Sequence, residues 1–163
     1  MRRPFVLSII GKSDSGKTTL ILKLLPELKK RGKKIAIAKH CPCGFDLDIE
    51  GKDSYRFAKA GSEGIFLSSG EGIALLRPKK GLADLEKSLQ DYFSDFDFIL
   101  TEGYNDEPDI KKIQIIRSGI GEMDFTPDGI IAYVSDMHID TDKPVYHPDD
   151  IPGIISFIEG LGG

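Results

Sequence analysis

The chain has 163 residues, 40% hydrophobic and 29% charged, which fits one compact domain, 1–163, and leaves no room for a second. Its formal net charge of −4 argues against a protein that grips nucleic acid by sheer positive charge. The two cysteines, Cys41 and Cys43, are one residue apart, a spacing that suits a shared metal or redox role better than a fold-closing disulfide. Arg2 and Arg3 before an apolar stretch resemble a signal peptide only superficially, because the stretch ends in Gly11-Lys12-Ser13-Asp14 without a small-residue cleavage site. No apolar run is long enough to span a bilayer, so a soluble cytoplasmic protein is expected.

Phe5 to Ile10 is a continuous apolar run, the mark of a strand buried on both faces. Leu20, Ile21, Leu24, Leu25 and Leu28 then recur at helical spacing across Lys17 to Arg31. Lys29, Lys30 and Arg31 suit the helix C-terminus, Gly32 ends it, and Pro26 predicts a kink. Lys34 to Ala38 reads as a second strand, and Lys39 to Lys52 as a long irregular stretch. Asp53 is expected to cap a helix through Ala60, with Gly61 as its stop. Gly64–Ser68 and Gly72–Leu76 form a hairpin-like antiparallel insertion.

Leu82, Leu85, Leu89 and Phe93 mark another amphipathic helix, followed by an apolar run, Phe96–Leu100. Ile113–Ile116 and Ile130–Val134 read as strands, Pro144–Tyr146 as a short edge strand, and Ile151–Leu161 as a closing helix. Helices alternating with apolar runs predict a three-layer α/β domain with a mostly parallel sheet.

The sharpest motif is Gly11-Lys12-Ser13-Asp14-Ser15-Gly16-Lys17-Thr18, a full G-x-x-x-x-G-K-[ST] match between a predicted strand and a predicted helix. Glycines let backbone N–H groups close around a phosphate, and the helix N-terminus adds positive potential. Lys17 reaches the β/γ oxygens and the Thr18 hydroxyl can ligate Mg²⁺. The candidate phosphate-binding set is Gly11, Ser13, Asp14, Ser15, Gly16, Lys17, Thr18 and Thr19. Lys12, directly after the first glycine, has the two readings of a solvated lysine and a donor reaching a partner subunit's nucleotide.

Glu102, just past the Phe96–Leu100 run, is the acid expected to serve Mg²⁺ or its water, since ligands of open α/β sheets collect at C-terminal strand ends. Asp97, at the beginning of that run, is expected only to start the strand. His40, Cys41, Cys43, Asp46 and Asp48 form a cluster that is read either as a soft-metal site or as an ordinary loop. Lys52, Asp53 and Arg56 surround a helix start, which suits an anion or ordinary capping.

The sequence resembles the molybdopterin-guanine dinucleotide biosynthesis adapter family, MobB. The resemblance rests on the phosphate loop and its continuation, on Lys39-His40, on Gly51 to Arg56 with Ala60-Gly61 following, and on Ile99 to Tyr104. It implies a P-loop NTPase fold that binds GTP with Mg²⁺, hydrolyses it weakly, forms a homodimer and assists the guanylyltransferase that joins GMP to molybdopterin. It further implies that Gly11, Gly16, Lys17 and Thr18 hold phosphates and metal, that Glu102 serves the metal, and that Lys39, His40, Lys52, Asp53 and Arg56 line the adjoining pocket. Cys41–Gly44 departs from the histidines common there in the family.

No Asn-Lys-x-Asp guanine motif occurs; Asp136 is the candidate to accept the N1 and N2 protons of guanine, or else a turn acid. Two other functional classes share the phosphate loop: a metal-delivery GTPase using His40, Cys41 and Cys43, and a small-molecule kinase using Lys52 and Arg56.

Overall fold

The first apolar run forms β1, Phe5–Ile10, five of whose six residues are buried. In the computed structural model, which describes residues 3–41, 44, 52–76, 85–120, 123 and 126–162, β1 is an inner strand of a six-stranded sheet. The elements that follow are α1 (Lys17–Lys30), β2 (Ile35–Lys39), α2 (Asp53–Lys59), β3 (Ile65–Ser68) and β4 (Ile73–Leu76). Then come α3 (Leu85–Tyr92), β5 (Phe98–Glu102), β6 (Lys111–Ile116), β7 (Ile130–Ser135), β8 (Val145–Tyr146) and α4 (Ile151–Leu161). No helix among the described residues is long and apolar enough to cross a membrane.

The chain groups into two units, 1–40 with 84–163, and 41–83. The larger unit holds the sheet, in the order β2-β5-β1-β6-β7-β8 with every pair parallel, as the mixture of apolar runs and intervening helices predicted. Alternate side chains of each strand feed opposite faces. Leu7, Ile9, Leu100 and Ile113 pack with Leu24 and Leu28 of α1 and Ile154 and Ile158 of α4. Val6, Ala36 and Ile99 pack with Leu89 of α3 on the other side. These are the three layers of an α/β sandwich.

The smaller unit contains α2 and the antiparallel β3-β4 pair, joined in register Ile65 to Leu76 and Ser68 to Ile73. Its turn is held by Ser69, whose Oγ accepts the amides of Glu71 and Gly72, both at 3.2 Å.

Several boundaries move for physical reasons. Asp53 does not cap α2: it is the first helical residue, its carboxylate 3.5 Å from Arg56 Nη1, and Lys52 stands at the cap without a side-chain bond. Lys39 belongs to β2 rather than to the loop, because its backbone continues the ladder opposite Glu102. Phe96 lies outside β5; its amide bonds to Phe93 O at 3.0 Å, and the two rings meet edge to face at 5.4 Å. Helix α1 continues through Pro26, which is exposed, so the hydrogen bond it forfeits lies on the solvent side. Asp97 stands immediately before β5: its Oδ2 accepts the Lys34 amide at 2.7 Å and its own amide bonds back to Lys34 O at 2.9 Å. This reciprocal pair aligns the starts of β2 and β5.

Strand β6 begins two residues before the apolar run and takes in Lys112, which is fully buried. Its ammonium donates to the carbonyls of Glu107 and Ile110, the latter at 2.9 Å. The Lys112 amide donates to Gly129 O at 2.8 Å, beside the irregularity where β7 inserts an extra residue. Burial lowers the pKa of this lysine, against the opposing pull of Asp128, Glu107, Asp106 and Asp109.

A lysine whose folded pKa lies below its unfolded value binds fewer protons folded than unfolded over the interval between the two. Folding stability therefore rises with pH across that interval. The stability of the native protein relative to a Lys112→Met variant is expected to increase from pH 7 to pH 10. Urea unfolding of both proteins at the two values measures the difference; a flat or falling difference contradicts it.

Candidate functional site

Register brings the C-terminal ends of the inner strands to one edge of the sheet. Ile9 of β1 pairs with Glu102 of β5, Lys39 of β2 pairs with the same Glu102, and Ile116 of β6 pairs with Ser135 of β7. The phosphate-loop motif leaves β1 at this edge and enters α1. Its neighbours there, β5 and β6, come from later in the chain, which makes this the crevice where open α/β sheets bind ligands.

Gly11 turns the chain with φ 149°, and a β-carbon on it would lie 2.6 Å from Ser15 Oγ and 2.8 Å from Ile115 O. No residue but glycine fits. Asp14 takes a left-handed φ of 61°, which aspartate tolerates better than most residues, and Gly16 takes φ 93° at the N-cap of α1. With Gly16 at the cap and no side-chain cap bond, the helix's first amides are left for another acceptor.

Lys17 extends back over the loop, its ammonium donating to Gly11 O at 3.0 Å and Lys12 O at 2.6 Å. Burial lowers its pKa, opposed by Glu102 and Asp14, with Lys39 adding to the lowering. Ser15 Oγ is buried and has no hydrogen-bond partner among the described residues. A fixed cation, a loop closed by glycine and an unsatisfied buried hydroxyl are the fittings of an anion cradle.

On the β5 side, the Thr18 hydroxyl donates to Glu102 Oε1 at 2.9 Å, and Lys39 Nζ lies 3.6 Å from that same oxygen. Two hard oxygen donors in contact at the rim of the loop match the ligand chemistry of Mg²⁺. Glu102 is only 14% exposed in its side chain, so the pair is a built feature rather than a solvated surface contact. Behind it, Gly103 takes φ 90° and would carry its β-carbon 3.1 Å from His40 Cβ. Ser8 Oγ donates to Gly103 O, and the His40 and Tyr104 rings stack with centroids 5.1 Å apart.

On the β6 side the loop opens into a cavity of about 300 Å³, lined among others by Ser15, Gly16, Thr19, Arg117, Ile120 and Val134. Asp136 lies outside this lining. Its Oδ2 accepts Arg117 Nε at 2.9 Å and its Oδ1 accepts the Ser118 amide at 2.8 Å, and the Ser118 bond is the main cause of its lowered pKa. Ser13 is exposed.

The structure thus gathers Gly11 to Thr19, Lys39 and Glu102 at one site. Lys52, Asp53 and Arg56 belong to the smaller unit, where they are exposed at the start of α2. Cys43, Asp46 and Asp48 lie outside the described residues, and Cys41 is half-buried. Among the described residues no group of three His, Cys, Asp or Glu stands together as a metal site. Arg117 and Ser8 were not singled out from the sequence. Arg117 directly follows the Ile113–Ile116 run, so the strand-end argument that selected Glu102 would have selected it too. Ser8, buried inside an apolar strand, carries no comparable signal.

Substitution by alanine is expected to be worse at Gly11 than at Gly16. Both suffer a strained φ, which costs on the order of 1–3 kcal/mol, but only Gly11→Ala drives a methyl into a backbone carbonyl. Urea unfolding should rank the two in that order; equal losses would show that the close approach to Ile115 carries no energy.

The description molybdopterin guanine dinucleotide synthesis protein B belongs to the family model that matches residues 6–136. The Haemophilus influenzae molybdopterin-guanine dinucleotide biosynthesis adapter protein is 33% identical over 156 residues, covering 94% of this chain and 87% of the relative. Its Escherichia coli counterpart is 34% identical over 160 residues, covering 94% of this chain and 90% of the relative. A crystal structure of molybdopterin-guanine biosynthesis protein B superposes with a TM-score of 0.78 at 28% identity, over 96% of this chain and 99% of that one. Bacillus subtilis MobB shares the fold, with a TM-score of 0.72 at 24% identity over 95% of this chain and 96% of that one. The phosphate loop and Glu102 both fall within the matched segment, and the chain belongs to the MobB family of molybdopterin-guanine dinucleotide biosynthesis adapter proteins.

Proposed function

We propose that this chain binds GTP together with Mg²⁺, hydrolyses it slowly on its own, and as a homodimer assists a guanylyltransferase that attaches GMP to molybdopterin. The observation that carries the nucleotide reading is the loop itself: Gly11 packed too closely for a side chain, with the Lys17 ammonium drawn across it. The partner and the dimer are argued from family membership, since relatives of 33% and 34% identity are named as adapter proteins for this synthesis.

The loop amides and Lys17 would hold the β- and γ-phosphates, with Lys17 exchanging its two carbonyl acceptors for phosphate oxygens. Thr18 and Glu102 would hold Mg²⁺, whose charge, when it is bound, offsets that of the terminal phosphates. Glu102 would give up the Thr18 hydroxyl to hold the metal or its water, with Lys39 Nζ 3.6 Å from its Oε1. Guanine recognition falls to the β6–β7 edge, where Asp136 has further lone pairs beyond those taken by Arg117 and Ser118.

Slow turnover follows from the groups at hand. Arginine fingers supplied to a phosphate loop raise the rate about 10³–10⁵-fold. Among the described residues, Arg117 is the arginine that lines the loop's cavity, and its Nε is already bound to Asp136.

Calorimetric titration with GTP and Mg²⁺ tests the reading. Lys17→Ala should weaken binding about 10–100-fold, the loss of charge-assisted hydrogen bonds. Glu102→Gln should weaken binding in the presence of Mg²⁺ and change it little in its absence. Turnover of the chain alone should stay below about 1 s⁻¹, the lower bound for kinases. Undiminished binding by Lys17→Ala, or faster turnover, overturns the proposal.

A further inference from the structure

Glu102 has a flexible neighbour, and β1 restrains it. Gly103 follows with a φ of 90°, in the left-handed region that glycine enters and leaves at little cost. Both of its polar groups are taken by β1, the strand that also leads into the phosphate loop. Its amide donates to Ile9 O at 3.2 Å, and its carbonyl accepts the Ser8 hydroxyl. One peptide earlier, Glu102 O accepts the His40 amide at 3.0 Å. The backbone on the C-terminal side of Glu102 is thus fixed at three consecutive polar groups.

Ser8 belongs to a buried polar row. Register sets it between Thr101 of β5 and Lys112 of β6, and all three residues are fully buried. The row lies on the face of the sheet away from α1, since Leu7 and Ile9, on either side of Ser8, pack toward α1 and α4. Its members are used unequally. Lys112 holds the far end of the connection that Gly103 begins, through the carbonyls of Glu107 and Ile110. Thr101 Oγ1 has no hydrogen-bond partner among the described residues. Ser8 bonds to the residue next to Glu102.

We propose that Ser8 is a positioning residue for the metal site: through the Gly103 carbonyl it fixes the Glu102 carboxylate, without touching metal or nucleotide. The inference rests on Thr18 and Glu102 holding Mg²⁺, as proposed above. Glu102 Oε1 is held by the Thr18 hydroxyl at 2.9 Å, a bond it gives up to the metal. The aim of the carboxylate then depends on the backbone behind it, and metal ligands whose outer contacts are lost bind more weakly. A hydroxyl buried in a strand is costly unless it is bonded. Ser8 spends its bond on one carbonyl beside the metal acid, reached from the opposite face of the sheet.

The test is calorimetry of GTP binding to the full chain with and without Mg²⁺, read as the ratio of the two affinities. In Ser8→Ala the ratio should fall about tenfold, the low end of what loss of an outer contact costs a metal site, with the Mg²⁺-free affinity unchanged. Ser8→Cys, a weak donor of similar size, should fall in between. Thr101→Val removes the unused hydroxyl of the same row and should keep the native ratio. In a Glu102→Gln background, Ser8→Ala should change the ratio no further, because the two residues act as one unit. A native ratio in Ser8→Ala overturns the proposal, and so does equal weakening with and without Mg²⁺, which would assign Ser8 to the fold. An equal drop in Thr101→Val, or a Ser8 effect that persists without the Glu102 carboxylate, overturns it too. If Glu102→Gln alone leaves the ratio native, the metal reading of Glu102 fails and this inference with it; native protein that binds no GTP overturns the nucleotide reading and both.

Discussion

The carbonyl oxygen of Ile115 lies 2.8 Å from where a β-carbon on Gly11 would be, and the organisation of the site depends on that close approach. Because Gly11 has no side chain, the chain leaving β1 can pass against β6 and still turn into α1. The turn aims the first amides of α1 at the crevice and brings the Lys17 ammonium back over Gly11 and Lys12. It also sets Thr18 against Glu102 on one flank and opens the cavity bordered by Arg117 on the other. A tight turn between two buried elements thus becomes a dividing wall between two chemically different compartments.

Each compartment is tied to the rigid sheet rather than to the loop. Glu102 and Lys39 are the last residues of adjacent parallel strands in direct register, so their separation follows from ladder geometry. Arg117 and Asp136 follow the ends of another adjacent pair, β6 and β7, and meet for the same reason. Groups at the ends of strands in a packed sheet are held more precisely than groups on loops, and charge placed there needs little reorganisation when an anion arrives. The far end of the sheet has its own fastening, the reciprocal bonds between Asp97 and Lys34, which align the starts of β2 and β5 and so the ends where Lys39 and Glu102 stand.

The buried Lys112 belongs to the same economy of structure. Its ammonium ties the carbonyls of Glu107 and Ile110, in the connection that leads from Tyr104 into β6. That connection begins beside the phosphate-loop edge of the sheet, where Tyr104 stacks on His40. A lysine buried in a strand is costly unless its donors are used, and here they hold the connection against the sheet.

The sequence by itself determined the architecture and the existence of the phosphate loop. Apolar runs such as Phe5–Ile10 and Phe98–Leu100, bounded by turn residues, read as strands buried on both faces, and the helical spacing of Leu20, Leu24 and Leu28 reads as a helix face that covers one of them. The motif Gly11 to Thr18 states its chemistry through glycine spacing and a single lysine. Local pattern was insufficient wherever the deciding partner is far along the chain. Lys112 reads as a surface residue until β6 is seen to be covered on both sides, and Asp53 reads as a cap until Lys52 takes that position. The pairing of Asp136 with Arg117 is equally hidden, because the parallel pairing of β6 and β7 brings the two together across 19 residues. Only tertiary structure decides such pairs, because strand order and register are set by packing over the whole sheet, and no window of the sequence contains them.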